Sequence, residues 1–200
     1  MGNPLILKAV NAYLRKRLHS QVTRLDNDES IELDQYSIPR LMHFFRQQDE
    51  QNQLLSEIER LLNNQIKAEE ILVVSASITN KKTLENLISN SLNIPCEVIN
   101  DANMHRHKGH LGLTSFRFIE RHALTSSFIF ITGLNILAAS EAQFHNDPEK
   151  EQNLIEKNSR KLAISMMRAQ KAVTLLITAD KIPAEFVTPE FEIKTVSLET

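Results

Sequence analysis

The sequence predicts an α/β fold, a mainly parallel sheet covered by helices, and three stretches carry that prediction. Residues 69–76, E-E-I-L-V-V-S-A, form a near-continuous β-branched run of the kind found in strands covered on both faces. Residues 127–135, S-F-I-F-I-T-G-L-N, repeat that pattern and are the most apolar such run. Residues 160–178, R-K-L-A-I-S-M-M-R-A-Q-K-A-V-T-L-L-I-T, pass from a charged, Ala- and Met-rich segment straight into a β-branched one, the pattern of a helix feeding a buried strand. On helical geometry Leu162, Met166, Ala169 and Val173 share one side. Arg168 lies about 200° round from Met166 and projects off that stripe.

Composition agrees with this class. With 42% hydrophobic residues, 24% charged residues and only four glycines in 200, the chain reads as helix-rich and globular, long enough for a sizeable core. A single domain over residues 1–200 is the expectation. The net charge of -2 excludes nucleic-acid binding through bulk charge alone, but leaves room for a local basic patch. No apolar run approaches the roughly 20 residues of a membrane span, and the first residues show no signal-peptide pattern, so no membrane partner is expected. One cysteine, Cys96, excludes an intrachain disulfide and makes the cytoplasm the default location.

In chain order, Asn3 caps a helix opened by Pro4, with Ile6, Val10, Tyr13 and Leu14 at helical spacing. Its basic end, Arg15-Lys16-Arg17, suits the helix dipole; phosphate contact and a solvated helix end are both open readings. Residues 19–35 are polar and acidic and read as a loop, with room for a short strand at 30–33. Residues 36–66 read as a helical segment, with Leu41, Phe44, Phe45, Leu54, Leu55, Ile58, Leu61 and Leu62 in helical period and a break near Asp49. After the strand at 69–76, Thr79 or Asn80 starts a helix with Leu84, Leu87 and Ile88 inward. Asn93-Ile94-Pro95 ends it before a strand at 96–99. Strand, helix and strand within about thirty residues make a right-handed crossover of a parallel sheet.

Residues 101–110, D-A-N-M-H-R-H-K-G-H, concentrate histidines and basic side chains. A zinc reading would need His105, His107 and His110 to converge with a fourth ligand, and no cysteine pair stands nearby, so no metal site is assigned. A phosphate-contact reading needs only that Arg106 and Lys108 face a backbone; a solvated loop is the third reading. Residues 111–117 and 127–135 are the next strands. Residues 135–147 read as a connector, with Asp147-Pro148 as cap and first turn of the helix that carries Arg168. A strand at 173–178 and a tail at 183–200, with an edge-strand alternation over 192–198, complete the chain.

Several of these stretches resemble the UvrD/Rep-like superfamily 1 helicases. Residues 162–169, L-A-I-S-M-M-R-A, followed by V-T-L-L, are similar to the last conserved motif of that family, roughly Leu-x-Val-Ala-Met-Thr-Arg-Ala, with Met167 where the family prefers Thr. Pro4-Leu5-Ile6-Leu7-Lys8-Ala9-Val10-Asn11 resembles the segment that follows the family's Asn-Tyr-Arg motif, which implies a longer parent protein. Residues 111–117 and 127–135 resemble the fifth motif and its buried strand, but Arg121-His122-Ala123-Leu124 stands where Lys-Gly-Leu-Glu is the pattern, so that motif is degenerate. The resemblance implies the second, C-terminal, RecA-like domain of such a motor. It implies that Arg168 reaches ATP, with its Mg²⁺, held on a first motor domain, and that Thr114, Ser115 and Arg117 lie along single-stranded DNA. Arg106 and Lys108 are added as phosphate contacts from their own loop.

The sequence contains no Gly-x-x-x-x-Gly-Lys-Ser/Thr, so the phosphate cradle of a nucleotide-binding loop is missing and no ATPase activity is expected of the chain alone. Nor is there a local nucleophile pattern. Two functions follow as expectations: the C-terminal motor domain of an ATP-dependent DNA helicase or translocase, or a non-catalytic helicase-like domain that binds nucleic acid or protein. A small-molecule α/β enzyme ranks last for want of a Gly-rich turn after any strand.

Overall fold

The structure is a computed structural model and describes residues 3–18, 37–76, 81–104 and 106–196. The loop expected at 19–35, the helix start at Thr79 or Asn80, His105 and the end of the tail lie outside the described residues.

Seven strands form one sheet: β1 (Arg40–Phe44), β2 (Ile71–Ser75), β3 (Cys96–Val98), β4 (Leu111–Ser115), β5 (Ser126–Thr132), β6 (Ala169–Thr178) and β7 (Glu192–Thr195). They lie in the order β3-β4-β2-β5-β6-β1-β7, and every pair is parallel. Because parallel neighbours need crossovers, helices are forced onto both faces. The helices are α1 (Pro4–Leu18), α2 (Gln47–Asn63), α3 (Lys81–Leu92), α4 (Phe116–Arg121), α5 (Leu134–Ala142) and α6 (Pro148–Met167).

Successive strand residues feed opposite cores, as the two-residue period of a strand requires. Leu41, Leu72, Val74, Ile129, Ile131, Val173, Leu175 and Ile177 pack with α1, α4, α5 and α6. Met42, Phe44, Ile71, Val73, Phe130 and Leu176 pack with α2 and α3. A fully buried Leu, Ile or Phe contributes roughly 1.5–3 kcal/mol, so both layers are needed to retain these strands. The Leu162, Met166, Ala169 and Val173 stripe is buried as one group.

Asn3 caps α1: its Oδ1 accepts from the Leu5 N–H at 2.9 Å, while its Nδ2 donates to the Lys171 carbonyl at 2.7 Å and ties the helix to β6. Asp147 caps α6 by accepting from the Lys150 N–H at 3.2 Å, and Pro148 fills the first turn. Beyond α3, Asn93 adopts φ +51°, the left-handed conformation that ends a helix. Among the described residues no helix is long and apolar enough to cross a membrane.

Three expectations are corrected. The segment 36–66 is not one helical unit: residues 40–44 form β1, held between β6 and β7, and only 47–63 are helical. Leu41 and Phe44 match a helical spacing, but they belong to opposite cores, which only a strand allows. Residues 135–147 are not a plain connector, since α5 starts at Leu134 after Gly133, whose φ of +77° turns the chain out of β5. The third expected strand stops at Ser115, and Phe116 and Arg117 begin α4, capped by the Ser115 hydroxyl, which accepts from the Phe118 N–H at 3.4 Å.

Candidate nucleotide and nucleic-acid interface

A parallel sheet has an amino edge, where all strands begin, and a carboxyl edge, where they end. At about 3.3 Å per residue, a five-residue strand separates the two by roughly 16 Å. The side chains singled out from the sequence fall on both edges, and so do not form a single cluster. Arg168, Arg106 and Lys108 precede β6 and β4 at the amino edge, whereas Thr114, Ser115 and Arg117 lie at the carboxyl end of β4 and in the turn after it.

Arg168 is the cap residue that ends α6, with φ -79° and ψ -12°, and β6 starts at the next residue. Its N–H donates to the Ser165 carbonyl at 3.3 Å and its carbonyl accepts from the Ser126 N–H at 3.2 Å, so helix end and neighbouring strand fix its backbone. The side chain is half-buried. Its Nε is enclosed yet has no hydrogen-bond partner among the described residues. A buried N–H without an acceptor is costly.

Arg106 is committed inward. Its Nη1 donates to the Ile71 carbonyl at 3.0 Å and approaches the Ser126 hydroxyl at 3.4 Å. Burial lowers its pKa from the ordinary arginine value, against the pull of Glu69 and Glu97. Lys108 is exposed one residue before Gly109, whose N–H donates to a Glu69 carboxylate oxygen at 2.9 Å. His107 and His110 come together on Glu97, a carboxylate that nothing local in the sequence marks out. The Glu97 pKa stands below its ordinary value: burial pushes it up, and hydrogen bonds from the His107 ring and N–H, with the charge of both imidazoles, more than offset that.

At the carboxyl edge Thr114 is fully buried and its hydroxyl donates to the Ile99 carbonyl at 3.0 Å, so it points into the fold. Ser115 is buried as the α4 cap. Arg117 is exposed and does not stand alone. Lys161 of α6 is half-buried with a pKa below the ordinary lysine value, because of burial first, then the neighbouring charges of Lys157 and Arg117, with Glu120 opposing. Lys161 is thus within electrostatic reach of Lys157 on its own helix and of Glu120 and Arg117 on α4. Sequence reasoning missed Lys157 and Lys161 because the two helices are joined only by the fold.

A second carboxyl-edge feature was also missed. Glu50, in the first turn of α2, is buried and accepts from the Thr132 hydroxyl, from the Gly133 N–H at 3.3 Å and from the Thr178 hydroxyl at 2.6 Å. It borders a cleft of about 140 Å³ that also includes Gln47, Ser75 and Thr83. In the sequence it sits in the polar run 46–53, where nothing local sets it apart from its neighbours.

An all-parallel seven-stranded sheet layered between helices is an α/β domain of RecA-like fold. The chain is similar in structure to the C-terminal domain of a possible DNA helicase from Lactobacillus plantarum WCFS1. The TM-score is 0.60 at 10% identity, over 93% of this chain and 95% of that one, and at this identity the likeness is one of fold. No protein-family model matches the chain, and no curated protein matches it.

Proposed function

We propose that this chain acts as the second RecA-like motor domain of a UvrD/Rep-like DNA helicase or translocase, closing over ATP held mainly on a first motor domain. The observation that carries the reading is Arg168, half-buried and fixed by backbone bonds on both sides where α6 hands over to β6 at the sheet's amino edge. Its donors suit a phosphate oxygen, and a fixed guanidinium stabilises charge on a transferred phosphoryl group. The likeness in fold to the C-terminal domain of a possible DNA helicase supports the same reading. ATP with Mg²⁺ would supply the phosphoryl-transfer chemistry, and with no nucleotide-binding loop in the sequence the first domain has to supply the cradle. Single-stranded DNA is the proposed second ligand. Arg117, with Lys157 and Lys161, is the best-placed group for its phosphates, while the inward hydroxyl of Thr114 serves the fold.

The test is ATP turnover by the chain joined to its first motor domain. Arg168→Ala is expected to lower kcat by roughly 10³-fold or more with DNA affinity retained, as for removal of an arginine finger. Unchanged turnover overturns the assignment of Arg168.

One observation favours a second reading, a non-catalytic helicase-like module that binds nucleic acid or protein. Arg121-His122-Ala123-Leu124 replaces Lys-Gly-Leu-Glu, and His122 caps α4 with extended backbone, its Nε2 3.1 Å from Asp101 Oδ1. Without the glycine the tight backbone approach of that motif is lost. DNA binding by a joined chain that shows no DNA-stimulated ATP turnover would select this reading.

A further inference from the structure

We propose that Glu97, His107 and His110 form a three-ligand site for a borderline divalent transition-metal ion such as Zn²⁺, at the β3 margin of the sheet. The proposal is independent of the motor reading.

The site is built by a turn. The His110 N–H donates to the His107 carbonyl at 3.1 Å, closing a four-residue turn, and Gly109 takes φ +80° at its third position, the conformation that a type II turn requires there. The first and last residues of such a turn lie side by side, and here both are histidines with ring centroids 5.3 Å apart. The Gly109 N–H bond to Glu69 anchors the turn from below.

Glu97 supplies the third ligand from β3. It is buried, and its two oxygens have separate tasks. Oε1 accepts from the His107 N–H at 2.5 Å, which fixes the carboxylate plane. Oε2 faces both imidazoles, 2.6 Å from His107 Nδ1 and 3.6 Å from His110 Nδ1. The second distance is too long for a hydrogen bond, and His110 Nδ1 is enclosed with no partner among the described residues. One atom from each residue can be chosen so that all three lie within 4.8 Å of one another. Bonds of about 2.0–2.2 Å to a tetrahedral ion place ligand atoms roughly 3.3 Å apart, so side-chain shifts of about an ångström complete the set.

Two imidazoles and one carboxylate are the donor set of a Zn²⁺ site that keeps a fourth position open for water. Imidazole donors discriminate against Mg²⁺ and Ca²⁺, which take oxygen. The amide that orients Oε1 is the kind of outer-shell support that metal carboxylates receive. A bound ion would clip residues 107–110 to β3 and hold Lys108 in one position.

The experiment is isothermal titration of the tag-free chain with Zn²⁺, with Mg²⁺ as control and Co²⁺ absorption as a report on coordination. The expected result is one Zn²⁺ per chain at micromolar concentration, no Mg²⁺ binding, and at least about tenfold weaker Zn²⁺ binding in both His110→Ala and Glu97→Gln. Lys108→Ala should keep the wild-type affinity. Because a variant could misfold, imidazole NMR of the unaltered chain is read alongside: Zn²⁺ should shift the His107 and His110 resonances and leave those of His43 unchanged. No uptake, uptake that either variant retains in full, or shifts at other histidines would overturn the site.

Discussion

At Cys96, burial pushes the thiol pKa up to about 12, with the carboxylates of Glu85 and Glu97 adding to it. A thiolate is the reactive form, so the folded chain should resist iodoacetamide at pH 8 and be alkylated fully in denaturant, as read by mass spectrometry. Modification of the folded chain at an ordinary thiol rate would show that this environment is misassigned. Glu57 shows the opposite balance. Burial raises its pKa, but Arg40 and then Arg60, bonded to its Oε2 at 2.9 and 3.0 Å, more than offset that and leave it below its ordinary value. A carboxyl depressed in the folded state contributes stability that is present above its unfolded pKa and lost as pH falls through its folded one. Glu57→Gln should therefore flatten the fall of the urea midpoint below about pH 4.5, the ordinary carboxyl value, and an unchanged slope would count against the pair. Arg168 could be singled out from sequence because its signal is local, an arginine off a packing stripe beside an apolar run. Glu50, Glu97 and Lys161 could not, since their partners lie on other elements and only folding makes them neighbours.

In β4, Gly112 is closely packed by its neighbours. A Cβ on Gly112 would meet Ile99 Cδ1 at 2.9 Å, Leu72 Cδ1 at 3.0 Å and Arg106 Cδ at 3.1 Å. Gly112→Ala should cost about 1–3 kcal/mol through overpacking, seen as a lower urea midpoint with unchanged m-value. Neutral behaviour would mean that the Ile99 and Leu72 methyl groups and the Arg106 side chain all give way without loss. The strands β2, β5 and β6 were legible because a strand covered on both faces must be apolar at consecutive positions. The same physics hid β1: in a five-residue strand with both faces buried, consecutive apolar positions also fit one turn and a half of helix. Its identity comes from pairing to β6 and β7, which are far away in sequence. Helix α5 was hidden for another reason. Its residues are nearly all apolar or small, so no stripe distinguishes it from a connector, and its start depends on one left-handed glycine.

For the whole molecule, a net charge of -2 means that DNA affinity, if it resides here, must come from a local surface. The Arg117, Lys157 and Lys161 surface predicts single-stranded DNA binding whose logarithm falls linearly with log salt. Arg117→Ala and Lys161→Ala should each reduce that slope by about one, with little dependence on DNA sequence. Fluorescence anisotropy over a salt series measures it, and salt-independent binding would reject the surface. The sequence by itself determined that the chain forms a helix-covered parallel sheet and that one arginine stands where a helix hands over to a strand, because both depend on the order of neighbouring residues. The tertiary structure alone decided how these groups are distributed. It turned the Thr114 hydroxyl inward, split the chosen cations between two edges of the sheet, and joined Glu97 to two histidines, since distances between elements are set by strand order and register.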